Sequence, residues 1–453
     1  MTGKRESFGS RFAVIMAMSG SAIGLGNIWR FPYLVGEHGG AAFIIVYMLA
    51  SLFLSIPIFL AESIIGRRTH SNTFGAFDNL APKSGWKWPA FLTVFTPLII
   101  LSYYSVVGGW SIEYLVKALT FSFTGSDAQL EGMFGNFISS PCAPLLFHTL
   151  FLIICAGIIV MGVKGGIEKF SNLSMPVLFI MVLIIMIYSL TLPGSERGVE
   201  YLVKPNFRNL GAAGVASATG QSFFSLSLGV GTVLTYSSYV NKKENLLISG
   251  LGTAGFDLLF AIMAGFAIMS AVFAAGIAPG SGPGLIFETL PFVFNKMSAI
   301  SPIFSGVVAI LFFLTVMVAA LTSAMSLFEV GVAYCVEEKG IRRMPATAIV
   351  FIGVWLLGCL SSLSFGPLRN FTIMDLPFFS FLDMISSNFL MAMGAMVYAV
   401  FVGWKMRRAD VYDEFTNGGT IKFNVRCFPI FYFLVRYIAP VVIGVIFITG
   451  LVM

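Results

Sequence analysis

GSAIGLGNIWRFP, residues 20–32, interrupts an apolar run that starts near Phe12 and resumes beyond Pro32. Gly20, Gly24 and Gly26 stand there beside Asn27, Arg30 and Pro32. Glycine and proline are the poorest helix formers. A charge inside hydrocarbon is expensive and marks function by default. Gly20 and Gly24 alone also fit a small-residue packing face. Asn27 and Arg30 do not, so the stretch reads as a membrane helix unwound at mid-depth.

The rest of the chain agrees with a membrane setting. Of 453 residues, 57% are hydrophobic and 11% charged, against about 25% charged in soluble proteins. Apolar runs able to cross about 30 Å of hydrocarbon fall near 11–37, 40–66, 89–121, 147–163, 168–192, 212–240, 244–277, 303–335, 345–362, 377–405 and 428–452. The expected fold is therefore an all-α membrane protein of eleven transmembrane helices. The first run is too long for a cleaved signal. With the N-terminus inside, the inner segments hold 19 of the 27 basic residues. Positive charge favours the cytoplasmic side, so the N-terminus is expected inside and the C-terminus outside a plasma (inner) membrane. The net charge of +6 is spread over short loops and is no nucleic-acid signal. Five cysteines and three histidines show no metal-ligand spacing. They leave little material for a metal centre or a histidine-based triad.

A second break, SLSLGVGT at 225–232, interrupts the sixth run. Each broken span is the first of a block of five. Five is odd, so the second block enters the membrane with opposite polarity. The expected organisation is a first repeat at 1–192, an inverted second repeat at 193–408, and a cytoplasmic loop with helix 11 at 409–453. Paired glycine-interrupted segments in two halves point to a transporter's binding site. Unwound backbone at that depth persists only if something polar satisfies it.

GSAIGLGNIWRFPYLVGEHGGAAF (20–43) resembles the first helix and turn of the neurotransmitter:sodium symporters. IPIFLAESIIGR (56–67), SYYSVVGGW (102–110), KGGIEKFSNLSMP (164–176), QSFFSLSLGVGTVLTYSSYV (221–240) and AALTSAMS (319–326) are similar to its later motifs, in the same order. The resemblance implies a prokaryotic eleven-helix amino-acid transporter of the leucine-transporter fold, and not an enzyme. It implies two sodium sites. The first would use Ala22, Asn27, Ser225 and a residue of span 7, aligned as Asp257. The second would use carbonyls of Gly20, Ile23 and Ala319 with the hydroxyls of Thr322 and Ser323. Sodium, a hard cation, suits such oxygen ligands. Taken alone, those two hydroxyls read equally as bonds to the preceding helical turn. Chloride-dependent members hold a halide near residues like Tyr47, Gln221 and Ser225, with a serine one turn after the span-7 position. Here that position is Ala261. The expectation is that Asp257 ligates sodium and supplies the negative charge, making chloride unnecessary. The alternative is an Asp257 solvated at the end of span 7.

Amine-carrying members have aspartate where this chain has Gly24. Glycine there implies a substrate that brings its own carboxylate, a zwitterionic amino acid, with Tyr104 donating to it. The implied pocket comprises Ser21, Ala22, Gly24, Gly26, Ile100, Tyr104, Phe224, Ser225, Ser227, Val230, Ser323 and Leu327. Val230 replaces a larger residue of some members, which suggests a hydrophobic or aromatic substrate. Arg30 is the expected outer latch, with Asp383 as partner and Phe224 and Tyr104 as lid. Arg5 with Glu337, helped by Tyr239, is the expected inner latch, and Phe8 stands where tryptophan is usual. Gly166 and Pro176 imply a span 5 whose inner end unwinds; an ordinary helix start with a proline kink reads equally well. Glu62 is expected to satisfy unwound backbone near span 6. The main rival is a sodium-independent exchanger or proton-coupled permease of similar architecture. A channel lacks a repeated filter motif.

Overall fold

The computed structural model describes residues 6–123, 127–276, 285–298 and 301–452. Among these, nine helices are long and apolar enough to span a membrane, and one bent pair makes a tenth. The bent pair is α1, split into α1a (Arg11–Ala22) and α1b (Gly26–Glu37), which meet at 52°. The nine are α2 (Ala41–Thr69), α3 (Lys87–Leu119), α4 (Ala143–Val160), α5 (Val163–Thr191), α7 (Leu246–Ala274), α8 (Pro302–Lys339), α9 (Arg343–Leu363), α10 (Phe378–Lys405) and α11 (Lys422–Ile448). The remaining expected span, α6, is two shorter helices, α6a (Gly211–Ser225) and α6b (Thr232–Ser237). Neither half is long enough to cross alone, because residues 226–231 leave the helix altogether.

Local chemistry sets several boundaries. Ser10 caps α1a by accepting the Ala13 amide, and Asn245 caps α7 through the Leu247 and Ile248 amides. Gly340, with a left-handed φ of 65°, ends α8. One side of the outer helices stays apolar and uncovered, as Leu173, Ile180 and Ile187 are on α5. In water such stripes would be unfavourable; against lipid they are the expected surface.

The two broken segments lie side by side, α1a beside α6b and α1b beside α6a. They are enclosed by α2, α5, α7 and α8, and α3 reaches them through Tyr104. A hook helix, Arg408–Thr416, is fastened to α2 and to the α6–α7 turn. There buried Arg67 donates to Glu414 at 2.8 Å and to the Glu244 carbonyl at 2.6 Å, and Lys242 meets Asp413 at 2.7 Å.

The break in α6 depends on contact with α10 at backbone distance. Gly229 has φ 78°, and a Cβ there would lie 2.0 Å from the Met391 carbonyl. Its partner Gly394 would bring a Cβ to 1.9 Å from the Gly229 carbonyl. Backbone cannot yield as a flexible side chain can. Gly394→Ala is expected to cost about 1–3 kcal/mol, read as a lower unfolding temperature in detergent. Gly157→Ala, with open space around its Cβ position, should change the same measurement by less than about 0.5 kcal/mol.

Candidate functional site at the joint of two broken helices

Each break frees backbone groups, and side chains from other helices meet them. In α1 the Leu25 amide donates to the Tyr104 hydroxyl at 2.9 Å, and the Gly24 amide to Asn27 Oδ1 at 3.2 Å. The Ser21 carbonyl accepts from Ser323 at 2.7 Å and Ser227 at 3.0 Å. The Gly26 carbonyl accepts from Gln221 at 3.0 Å. In α6 the Gly229 amide donates to Glu62 Oε1 at 2.7 Å. Glu62, wholly buried, thus reaches unwound backbone of α6.

Asn27, Ser225 and Asp257 come together with Tyr47. Asp257 Oδ1 accepts from Asn27 Nδ2 at 2.7 Å and from Ser225 at 2.8 Å. Its Oδ2 accepts from Tyr47 at 3.0 Å. Asp257 is 2% exposed and Asn27 fully buried, so Asp257 is not a solvated residue at a helix end. No lysine or arginine pairs with it among the described residues. A buried carboxylate without a counter-cation costs several kcal/mol, so the cluster suits a small cation held by oxygen. Ala261 beside it is buried and offers no hydroxyl.

The second set also converges. The Thr322 hydroxyl lies 2.9 Å from the Ala319 carbonyl and 3.3 Å from the Ile23 carbonyl. Gly20 faces them: its Cβ position is 3.4 Å from Thr322 Cβ. The Ser323 hydroxyl donates to the Ser21 carbonyl at 2.7 Å.

Between the breaks lies a small cavity lined by Ala22, Gly24, Gly26, Ile100, Tyr104, Phe224, Ser227, Val230, Ser323, Leu327 and Met391. Ser21 and Ser225 do not line it; their hydroxyls are spent on Ser326 and Asp257. Met391 was not foreseen, since only the contact of α10 with the unwound α6 brings it in. The space beside Gly24 is already filled: a Cβ would stand 2.6 Å from the Tyr104 hydroxyl and 2.8 Å from Ser323. Tyr104 accepts the Leu25 amide and also has the Ser323 hydroxyl as a partner.

The outer latch differs from the expected pair. The Arg30 guanidinium lies over the Phe224 ring, 4.7 Å from its centre. No Arg30–Asp383 pair within 4 Å occurs among the described residues, although Asp383 is near enough to act on Arg30 electrostatically. Asp383 Oδ1 takes the Ser387 hydroxyl at 3.1 Å instead. A cation over an aromatic face gains attraction without a carboxylate. At the other end Arg5 lies outside the described residues. Glu337 accepts from the Asn72 amide at 2.6 Å. Tyr239 donates to Glu329 at 2.9 Å, and Arg343 holds the same carboxylate at 2.5 and 3.1 Å. Glu329 and Arg343 were missed as a latch pair. The signal was a glutamate in the apolar stretch of α8 and an arginine fourteen residues on, across a turn. Phe8 packs edge-on against Tyr236 and Tyr239 and donates its amide to the Tyr239 carbonyl at 3.1 Å.

The model of the sodium:neurotransmitter symporter family matches residues 5–132 and 134–453. The chain belongs to this family. It is a family of transporters, not enzymes. An uncharacterized sodium-dependent transporter of Bacillus subtilis (strain 168), YhdH, is 36% identical over 448 residues, 98% of this chain and 97% of the relative. One from Haemophilus influenzae is 33% identical over 460 residues, 99% and 98% of the two chains. The crystal structure of MhsT in complex with L-phenylalanine superposes with a TM-score of 0.91 at 39% identity, covering 99% of this chain and 100% of the other.

The Glu329 carboxylate is fully buried and depends on Arg343. Arg343→Ala should destabilise the protein by about 3–5 kcal/mol, seen as a lower unfolding temperature in detergent. The double variant Arg343→Met, Glu329→Met should recover most of that loss. If it does not, the loss is one of packing and not of charge.

Proposed function

We propose that the protein is a sodium-coupled symporter that imports a zwitterionic, hydrophobic or aromatic amino acid by alternating access, without a need for chloride. The observation that carries the reading is the buried Asp257–Asn27–Ser225–Tyr47 cluster beside a cavity floored by Gly24. The cluster holds a negative charge that a sodium ion would neutralise. Gly24 contributes no side-chain charge, so the substrate's carboxylate would complete the cation's shell and accept a hydrogen bond from Tyr104. The α-ammonium would face Ser227 and the freed carbonyls of Ala22, Phe224 and Ser225. Ile100, Val230, Leu327 and Met391 offer an apolar wall for the side chain, and MhsT, a relative of the same fold, was crystallised with L-phenylalanine.

A second sodium would bind the carbonyls of Gly20, Ile23 and Ala319 with Thr322 and Ser323, once Ser323 leaves Ser21. Arg30 closes the outer side over Phe224 and meets Asp383 in a further closed state. Arg5 with Glu337, and Tyr239 with Glu329, close the inner side. Residues 1–192 and 193–408 act as inverted repeats, and 409–453 add the hook and α11. The N-terminus is cytoplasmic and the C-terminus extracytoplasmic in the plasma membrane. A ligand shifts a conformational equilibrium only by its affinity difference between states. Sodium would favour the outward-open form, and substrate would permit closure.

Uptake into proteoliposomes should require sodium, persist when chloride is replaced by gluconate, and be competed best by large apolar amino acids. Asp257→Asn should lower sodium-driven uptake at least about 100-fold, the loss of roughly 3 kcal/mol from one buried charge, with chloride restoring part of it. Uptake indifferent to replacing sodium with choline would sink the sodium reading. Uptake that stops without chloride would sink the role given to Asp257.

A further inference from the structure

Beyond Arg426, Arg436 is the single charged residue of α11. A charge on a membrane span is costly unless something meets it. The guanidinium lies over the Trp404 ring, 4.5 Å from its centre, with the Tyr437 and Tyr432 rings at 5.5 and 5.8 Å. Its one polar contact among the described residues is a long hydrogen bond to the Tyr432 hydroxyl, at 3.4 Å. Its Nε is buried and has no partner. Backbone contacts fix this turn of α11 to the end of α10. Trp404 Nε1 donates to the Arg436 carbonyl at 2.9 Å, and a Cβ on Gly403 would lie 2.8 Å from Arg436 Cα.

Arg408, the first residue of the hook, reaches the same tyrosine. Its guanidinium lies 5.4 Å from the centre of the Tyr432 ring and 5.8 Å from that of Phe428. The ion pairs of this region join Arg67, Arg68, Lys242 and Arg407 to Asp410, Asp413 and Glu414. None includes Arg408 or Arg436 among the described residues. No aspartate or glutamate occurs between Asp383 and Asp410, nor after Glu414. Two guanidiniums thus stand at Tyr432 without a counter-anion from the chain.

The setting is the lipid boundary. Ile430, Phe433, Tyr437, Val441, Val445 and Ile448 are exposed, at spacings of three and four that place them on one face of α11. Arg436 lies beside that stripe in sequence and in space. Trp404 is 57% exposed, and tryptophan and tyrosine collect where membrane meets water. A guanidinium fork matches a phosphate through paired hydrogen bonds. A choline headgroup would bring a cation together with its phosphate. The site has no acid to meet that cation, and Arg436 already covers the Trp404 face that could.

We propose that the groove between the end of α10 and α11 binds an anionic phospholipid. Arg436 and Arg408 hold the phosphate, and an acyl chain lies along the apolar stripe of α11. The lipid supplies the counter-charge that the chain lacks there, and it bridges α11 to the hook. The inference rests on the membrane setting alone and stands apart from the sodium and substrate readings.

The test uses the full chain in an uncharged detergent, titrated with phosphatidylglycerol or phosphatidylcholine of the same acyl chains and followed by native mass spectrometry. Phosphatidylglycerol should bind at least about tenfold more tightly, the worth of one charge-assisted hydrogen bond. Arg436→Gln should remove most of that preference, and Arg408→Gln part of it. Arg407→Gln, whose partner is Asp410, should leave it nearly unchanged. Arg408 is exposed, so its variant decides the matter if Arg436→Gln does not fold. Equal affinity for the two lipids, or a preference that survives both substitutions, would overturn the site. Inorganic phosphate raising the unfolding temperature as much as phosphatidylglycerol does, through Arg436, would replace the lipid with a free anion. A dimer in lipid-free detergent that Arg436→Gln abolishes would replace it with a second copy of the chain.

Discussion

Backbone polarity at mid-membrane is the constraint on which this structure depends. Each unpaired amide or carbonyl in hydrocarbon costs several kcal/mol, and two helices are broken there. The side chains around the breaks answer that cost. Tyr104 takes the Leu25 amide, Gln221 gives to the Gly26 carbonyl, and Glu62 takes the Gly229 amide. Ser227 and Ser323 both give to the Ser21 carbonyl. The donors and acceptors come from α2, α3, α6 and α8, so satisfying the breaks also fixes how those helices stand to one another. A hydroxyl on a freed carbonyl occupies a place that an ion can take. Ser323 on Ser21 is the clearest case, being bonded here to one carbonyl and expected to ligate near others.

Four carboxylates are buried among the described residues; Glu414 pairs with Arg67 at the hook, and the surroundings of the other three distinguish their tasks. Glu329 has Arg343 and Tyr239, a charge pair that ties α8 to the start of α9. Glu62 meets unwound backbone of α6. Asp257 has neutral donors only, from Asn27, Ser225 and Tyr47. Neutral hydrogen bonds ease a buried charge but do not cancel it. Glu62 shares that condition, and of the two Asp257 is the one beside Asn27 and Ser225, where the two breaks meet.

Much of this was legible in the sequence because the determining features are local. GSAIGLGN and SLSLGVGT announce both breaks by composition, and nearly all spans follow from hydropathy. Gly20, Ala22, Ile23, Asn27 and Ser225 lie in those breaks, while Asp257, Ala319, Thr322 and Ser323 lie on spans 7 and 8 and came from the family resemblance. What could not be read depends on contacts between distant segments. Met391 reaches the cavity only because α10 meets Gly229 backbone to backbone. Arg30 rests on Phe224, since the choice between an aromatic face and an acid some 350 residues away is made by helix tilt. Glu329 with Arg343 is likewise a pairing between helices, and no periodicity encodes it. The break in the sixth span was foreseen at 225–232, and residues 226–231 lie outside the helix there, with Glu62 taking the Gly229 amide.

The division between fixed and exchangeable contacts bears on how such a fold can move. α3 and α8 lie along one another and pack against α4 and α9 through apolar side chains. Close packing of that kind has few alternative arrangements. The α1 and α6 breaks are held instead by single hydrogen bonds from hydroxyls, an amide and a carboxylate. Each such bond contributes only about 0.5–1.5 kcal/mol net, and each has a ready substitute in an ion, a substrate group or water. A ligand that replaces several of them at once changes the balance between arrangements of α1 and α6 while leaving the packed helices in place.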